Sequence, residues 1–174
     1  MDDLFHKLAD QWRDRVYSFA LYSLRRQEEA EDVTQRVLIR LWQNCDAIDP
    51  DRAGAWIMRV TRNAVIDSTR RRSTRSSVIA EGADAKDAQM YVPSGARTES
   101  TVEAREIREA VLAALEEIDE VYRSVIIMRE IEQFTYSEIA NALQLPVGTV
   151  KVHLHRGRRA LRAAIRERYR EDVV

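Results

Sequence analysis

The sequence predicts an all-α protein built as two small helical domains joined by a flexible linker. Its 174 residues include only five Gly, three Pro and 7% aromatics, too few for the turns and strand cores of a β protein. Ala, Leu, Arg and Glu dominate, and all four favour helix. Apolar residues recur at three- to five-residue steps in two blocks, separated by a stretch without any period. A hydrophobic content of 45% is enough to bury a core, which excludes disorder throughout the chain.

The first helix is read from Leu4, Leu8, Trp12, Val16, Phe19 and Leu24. The second, Glu28 to Asn44, carries Ala30, Val33, Val37, Leu38, Leu41 and Trp42 as its stripe. The third follows the start signal Asp49-Pro50 and shows Ala55, Trp56, Val60, Ala64 and Ile66. Together they predict a three- to four-helix bundle over residues 1–75, with Trp12, Trp42 and Trp56 read as core. From Ser73 to Thr101 the period is lost and Ser, Thr, Gly, Ala and Asp accumulate, so a linker is placed at 76–101. The second domain, 102–170, opens with Ile107, Val111, Leu112 and Leu115 and continues from Val121 to Ile131 with Val125, Ile126 and Met128. Two helices end it, Tyr136 to Leu143 and Val147 to about Tyr169, separated only by Gln144-Leu145-Pro146. That layout is a helix-turn-helix within a four-helix domain, and its second helix is the one that enters a DNA major groove.

Charge is sorted along the chain. Residues 52–75 hold seven arginines against Asp67, and 150–170 hold eight basic residues against Glu167, while the segments before each are acidic. Two cationic segments in separate domains point to a polyanion gripped at two places; the plain alternative is a pair of solvated helix faces. In the last helix Val150, Leu154, Gly157, Leu161 and Ile165 share one face. Thr149, Lys151, Val152, His153, His155, Arg156 and Arg159 stand on or beside the other, with Gly148-Thr149 at the start where backbone N–H groups can meet a phosphate.

Other chemistries find no support. There is no nucleophile–base pairing and no Gly-rich phosphate loop, so no enzyme is expected. No cofactor is expected, nor a metal site, since His153 and His155 point about 200° apart on a helix. Cys45 has no internal disulfide partner. No apolar run approaches the roughly 18 residues of a membrane span and no signal-peptide pattern is present. The expectation is a cytoplasmic protein without membrane insertion.

Specific motifs sharpen this reading. Asp119-Glu120-Val121-Tyr122-Arg123 through Met128-Arg129, Thr135-Tyr136-Ser137-Glu138-Ile139-Ala140 and Pro146-Val147-Gly148-Thr149-Val150-Lys151 closely resemble region 4 of bacterial sigma factors of the extracytoplasmic-function (ECF) type. Ala30-Glu31-Asp32-Val33-Thr34-Gln35 through Leu41-Trp42 resembles region 2.2 of that family, and Ala55 through Asp67 with Arg70-Arg71-Arg72 resembles regions 2.3 and 2.4. The resemblance spans both domains in order.

It implies a factor that binds core RNA polymerase, through the β′ and β subunits, and directs it to promoter DNA. Region 2 would recognise and help melt the −10 element and region 4 would read the −35 element. The resemblance places Glu31, Asp32, Gln35, Leu38 and Trp42 against core polymerase. Asn63 would meet a −10 base taken out of the stack, and Arg59, Arg62, Arg70, Arg71 and Arg72 would hold phosphates. At −35 it places Thr149, Lys151, Val152, His153, Arg156 and Arg159. An anti-sigma factor is a further implied partner.

Two departures stand out. The family usually has an acidic residue after the glutamine, where this chain has Arg36. Either Arg36 turns to solvent, or core binding is weak until negative charge is added nearby, and phosphorylation of Thr34 would supply about −1.5 to −2. The second departure is Val152 with His153, where small polar and arginine residues are frequent, which predicts an unusual −35 sequence. A rival reading is a helix-turn-helix regulator of the response-regulator type, whose output helix often carries a similar Thr-Val-Lys-Val-His stretch. It would need a β/α receiver domain, and residues 1–72 show only helical periods. A purely protein-binding adaptor would leave both basic blocks idle.

Overall fold

The computed structural model describes residues 2–78 and 102–171, which are helices joined by short turns and irregular connections, with no strand among them. A receiver domain is thereby removed from the first half. The chain divides into two units, the first holding three helices and the second four. Residues 79–101, most of the expected linker, lie outside the described residues.

The first unit comprises α1 (Asp2–Leu24), α2 (Gln27–Asn44) and α3 (Ala53–Val78), with two short 3₁₀ turns between α2 and α3. Val16, Phe19 and Leu24 of α1, Val33, Val37 and Leu41 of α2, and Ile57 and Met58 of α3 are fully buried. Each such side chain contributes about 1.5–3 kcal/mol. The α1–α2 turn is tight because Arg25 takes a left-handed backbone (φ 56°) and donates its N–H to the Leu21 carbonyl at 2.8 Å. Asp49 caps the approach to α3 by accepting from the Asp51 N–H at 3.0 Å, with Pro50 pre-set in the first turn. Gly54 is there for contact rather than for freedom of φ, because the Trp12 ring lies directly on it.

Three sequence expectations need correction in this unit. Helix α3 runs to Val78, beyond the point where apolar periodicity fades, because its Arg-rich last turns keep helix propensity without a buried stripe. Its inward face is Ile57, Met58, Val60, Thr61, Ala64, Val65 and Ser68, so Val60 and Ala64 of the expected stripe are buried, whereas Ala55, Trp56 and Ile66 are only half-buried. Trp42 is not core: it is 62% exposed.

The second unit comprises α4 (Val102–Glu117), α5 (Glu120–Ile126), α6 (Tyr136–Leu143) and α7 (Val147–Glu171). The helix expected from Val121 to Ile131 starts at Glu120 and widens into a π turn over Ile127–Ile131, where the Glu132 N–H reaches the Ile127 carbonyl at 3.0 Å. Thr135 and Glu138 form a capping box at the start of α6, with the Thr135 N–H 2.7 Å from Glu138 Oε2. Gln144, left-handed at φ 55°, ends α6, and Pro146, two residues on, immediately precedes α7 with its carbonyl accepting from Val150 N–H at 3.1 Å. Ile139 and Ala140 of α6 and Val150 and Leu154 of α7 close the core between these two helices. Ion pairs Glu130–Arg158 and Glu117–Arg168 tie α7 to the preceding elements. At Gly157, α7 passes so close to α5 that an added Cβ would stand 2.9 Å from Ile126 Cδ1.

Candidate nucleic-acid interface

Because α3 buries Ile57, Thr61, Ala64 and Ser68, a turn of roughly 100° per residue puts Arg59, Asn63 and Arg70 on its opposite side. Asn63 and Arg70 are exposed, Arg59 and Arg62 are half-buried, and Arg71 is exposed at the flank. Four of the residues expected at −10 therefore share one outward face. Arg72 does not. It lies on the α2 side of the helix, 3.8 Å from Glu29, whose carboxylate also accepts from Ser68 Oγ at 3.1 Å and has Arg26 at 3.7 Å. Arg72 bridges α3 to α2 through this ion pair and stands apart from the outward face that the other four share.

The recognition helix α7 buries Val150, Leu154 and Gly157, so its outward arc is Val152, His155, Arg156 and Arg159, all exposed. Thr149 is half-buried at the start of the helix. Lys151 sits on the flank toward α6 with its Nζ 5.7 Å from the Tyr136 ring centroid, and the Arg129 guanidinium is 4.9 Å from the same ring. Arg129 is itself fixed by donating to the Phe134 carbonyl at 2.7 Å. One aromatic ring thus orients two cations beside the helix-turn-helix. His153 lies between the outward arc and the core. It is half-buried, packs edge-on against Tyr122 of α5 with centroids 5.5 Å apart, and its Nδ1 is buried without a hydrogen-bond partner. His155, two residues on, is exposed on the arc.

A third face lies on α2. With Ala30, Val33, Thr34, Val37 and Leu41 inward, Glu31, Gln35, Leu38 and Trp42 form one outward stripe, joined by Ile39, which is 47% exposed. Asp32 falls to the side, where Arg36 Nη2 meets its Oδ2 at 2.5 Å, so the charge-reversed position pairs within its own helix. Thr34 is on the inward face. Its hydroxyl donates to the Ala30 carbonyl at 2.7 Å and the residue is buried, an arrangement that stands against the expected phosphorylation unless α2 opens locally.

Sequence reading missed Ile39 and Tyr136, while His155 stands on the outward side where it was expected. The four-residue spacing of Ile39 to Gln35 was a signal for the first. Nothing in the sequence marks Tyr136 as a seat for cations. Among the described residues no group of three or more His, Cys, Asp and Glu side chains could hold a metal ion, and no helix is long and apolar enough to cross a membrane.

Comparison with known proteins adds to this geometry. Residues 8–75 match Sigma-70 region 2 and residues 108–161 match Sigma-70, region 4. The ECF RNA polymerase sigma factor SigW of Bacillus subtilis is 32% identical over 169 residues, covering 95% of this chain and 90% of SigW. The ECF sigma factor SigL of Mycobacterium tuberculosis is 33% identical over 169 residues, covering 94% and 90%. In solved structures, the fold is shared with the sigma factor RpoE bound to the anti-sigma factor NepR from Bartonella quintana, at a TM-score of 0.72 and 18% identity over 95% of this chain and 98% of that one. It is shared also with CnrH in complex with the cytosolic domain of CnrY, at a TM-score of 0.68 and 21% identity over 96% and 90%. Two helical units with outward cationic faces, the two region matches in order, and nearly full-length likeness to SigW and SigL make this chain a member of the ECF sigma factors of the sigma-70 family.

Proposed function

We propose that three outward faces divide the work of promoter-directed initiation in this sigma factor. The α3 face, with Arg59, Arg62, Asn63, Arg70 and Arg71, tracks the −10 element and takes up an unstacked base at Asn63. The α7 arc, with Thr149, Lys151, Val152, Arg156 and Arg159, reads the −35 major groove. The α2 stripe of Glu31, Gln35, Leu38 and Trp42 docks on core RNA polymerase at its β′ and β subunits, with Asp32 weakened by its pairing to Arg36. The single observation that carries this reading is the placement of arginine rows directly opposite the buried faces of both α3 and α7.

The factor works in the cytoplasm with the chromosome and has no catalytic chemistry of its own. RpoE and CnrH are bound by proteins in their solved complexes, and a protein inhibitor covering the α2 stripe or the α7 arc would act here in the same manner. Run-off transcription with purified core polymerase tests the reading: Arg59→Ala with Arg70→Ala should abolish open-complex formation, whereas Arg156→Ala with Arg159→Ala should weaken closed binding to −35-dependent promoters. Unchanged transcripts from both pairs would overturn it.

A further inference from the structure

On the outward arc of α7 one side chain differs in kind from its neighbours. Val152 is 47% exposed, yet it sits at the middle of the arc among Lys151, His155 and Arg156, all groups that seek hydrogen-bond acceptors. About half of its surface stays open to solvent in the free unit. Being β-branched on a helix, it holds one preferred rotamer and so presents its two methyls at a fixed place. One turn earlier on the same face stands Gly148, and an added Cβ there would have no heavy atom within 4 Å. The start of α7 is therefore bare where a groove wall would come closest, which lets the second turn sink deeper.

On the assignment of α7 to the −35 groove, we propose that Val152 reads the C5-methyl group of a pyrimidine, which in unmodified DNA is thymine. The methyl is the one apolar feature that any base edge offers in the major groove. A valine pressed on the amino group of cytosine or on purine acceptors would strip their water and return no hydrogen bond. Against a methyl it buries apolar surface on both partners. Arg156, one turn on, and Lys151 are suited to guanine O6 and N7 or to phosphate. The favoured element thus sets a thymine beside acceptor-rich positions.

The test uses holoenzyme reconstituted from core polymerase and the full chain, with promoters it selects from a random −35 pool. Each −35 thymine on either strand is replaced singly by deoxyuridine, which deletes only the methyl. One position should lose about three- to fivefold in affinity, the size expected for one buried methyl group. Cytosine at that position should bind worse still, and 5-methylcytosine should recover about the same factor over cytosine. In Val152→Ser holoenzyme the methyl dependence at that position should vanish, and in Val152→Ala it should fall at least by half. The proposal is overturned if no position responds to methyl removal, if the response survives intact in Val152→Ser, or if the selected pool holds no thymine that responds. Failure of the underlying −35 assignment reads differently: Lys151→Ala and Arg156→Ala would then leave −35 affinity unchanged.

Discussion

Replacing Gly54 by Ala should unfold the first unit more readily, although the same change in a helix ordinarily stabilises by up to about 1 kcal/mol. A Cβ at Gly54 would stand 2.6 Å from Trp12 Cη2 and closer still to Cζ2, against about 3.5–4.0 Å for an ordinary carbon contact. The ring must retreat by more than an ångström. Trp12 is only 8% exposed, so it cannot swing into water without giving up burial. Overpacking of this kind costs about 1–3 kcal/mol, and a Trp buries about 150–250 Å² in all. With partial loss of that burial, a net destabilisation of about 1–2 kcal/mol remains after the propensity gain. All three tryptophans, Trp12, Trp42 and Trp56, lie in the first unit, so tryptophan fluorescence during urea unfolding of the full chain reports that unit alone. For a unit of this size the loss corresponds to roughly 4–16 °C in Tm. Gly148→Ala, in the second unit and with nothing within 4 Å of its Cβ position, should leave this fluorescence transition unchanged and, followed by circular dichroism, should not lower the unfolding midpoint. An unchanged or raised midpoint for Gly54→Ala would refute the packing argument.

Thr34→Asp should destabilise the first unit by more than about 2 kcal/mol, because it places a carboxylate on the buried face of α2; Thr34→Val should cost less. The same fluorescence titration checks both, and a fully stable Thr34→Asp protein with altered core binding would restore the phosphorylation reading. Arg36→Glu should change stability by no more than about 0.5 kcal/mol, the scale of an i, i+4 pair. It should also tighten core binding at low salt by freeing Asp32, measurable by competition for core polymerase. Trp42→Ala should leave the unfolding midpoint nearly unmoved, since the residue is 62% exposed, while weakening core binding severalfold. Loss of stability without loss of binding would place Trp42 in the fold instead. Arg156→Ala and Arg159→Ala should each lower the slope of log affinity against log salt by about 1 if they neutralise phosphates.

Helix existence was legible because apolar steps of three and four survive in six of the segments even where boundaries blur. The inward face of α3 was not, and the reason is physical. Thr61 and Ser68 are buried polar residues, made tolerable by a hydrogen bond from Thr61 to the Ile57 carbonyl at 2.8 Å and one from Ser68 to Glu29. A reading that weighs only apolar side chains slides to Ala55, Trp56 and Ile66. The π turn at Ile127–Ile131 has no signature in residue type, since it is a change in backbone hydrogen bonding within a stretch of ordinary helical residues. Trp42 misled in the opposite sense: its size argued for the core, while its place in the stripe of Glu31, Gln35 and Leu38 put it outside. The arginine rows were visible as charge blocks, but which arginines point outward required the buried face first. Arg72, held by Glu29, shows the difference between a basic segment and a basic surface.

Tethered DNA cleavage can locate both faces on one promoter. With Cys45 replaced by Ala, single cysteines at the exposed positions Asp67 on α3 and Ala163 on α7 would each carry an iron chelate in reconstituted holoenzyme. Strand cuts from residue 67 should cluster at the −10 element and those from residue 163 at the −35 element. Cuts from both at one element, or the reverse order along the DNA, would contradict the division of promoter recognition between α3 and α7.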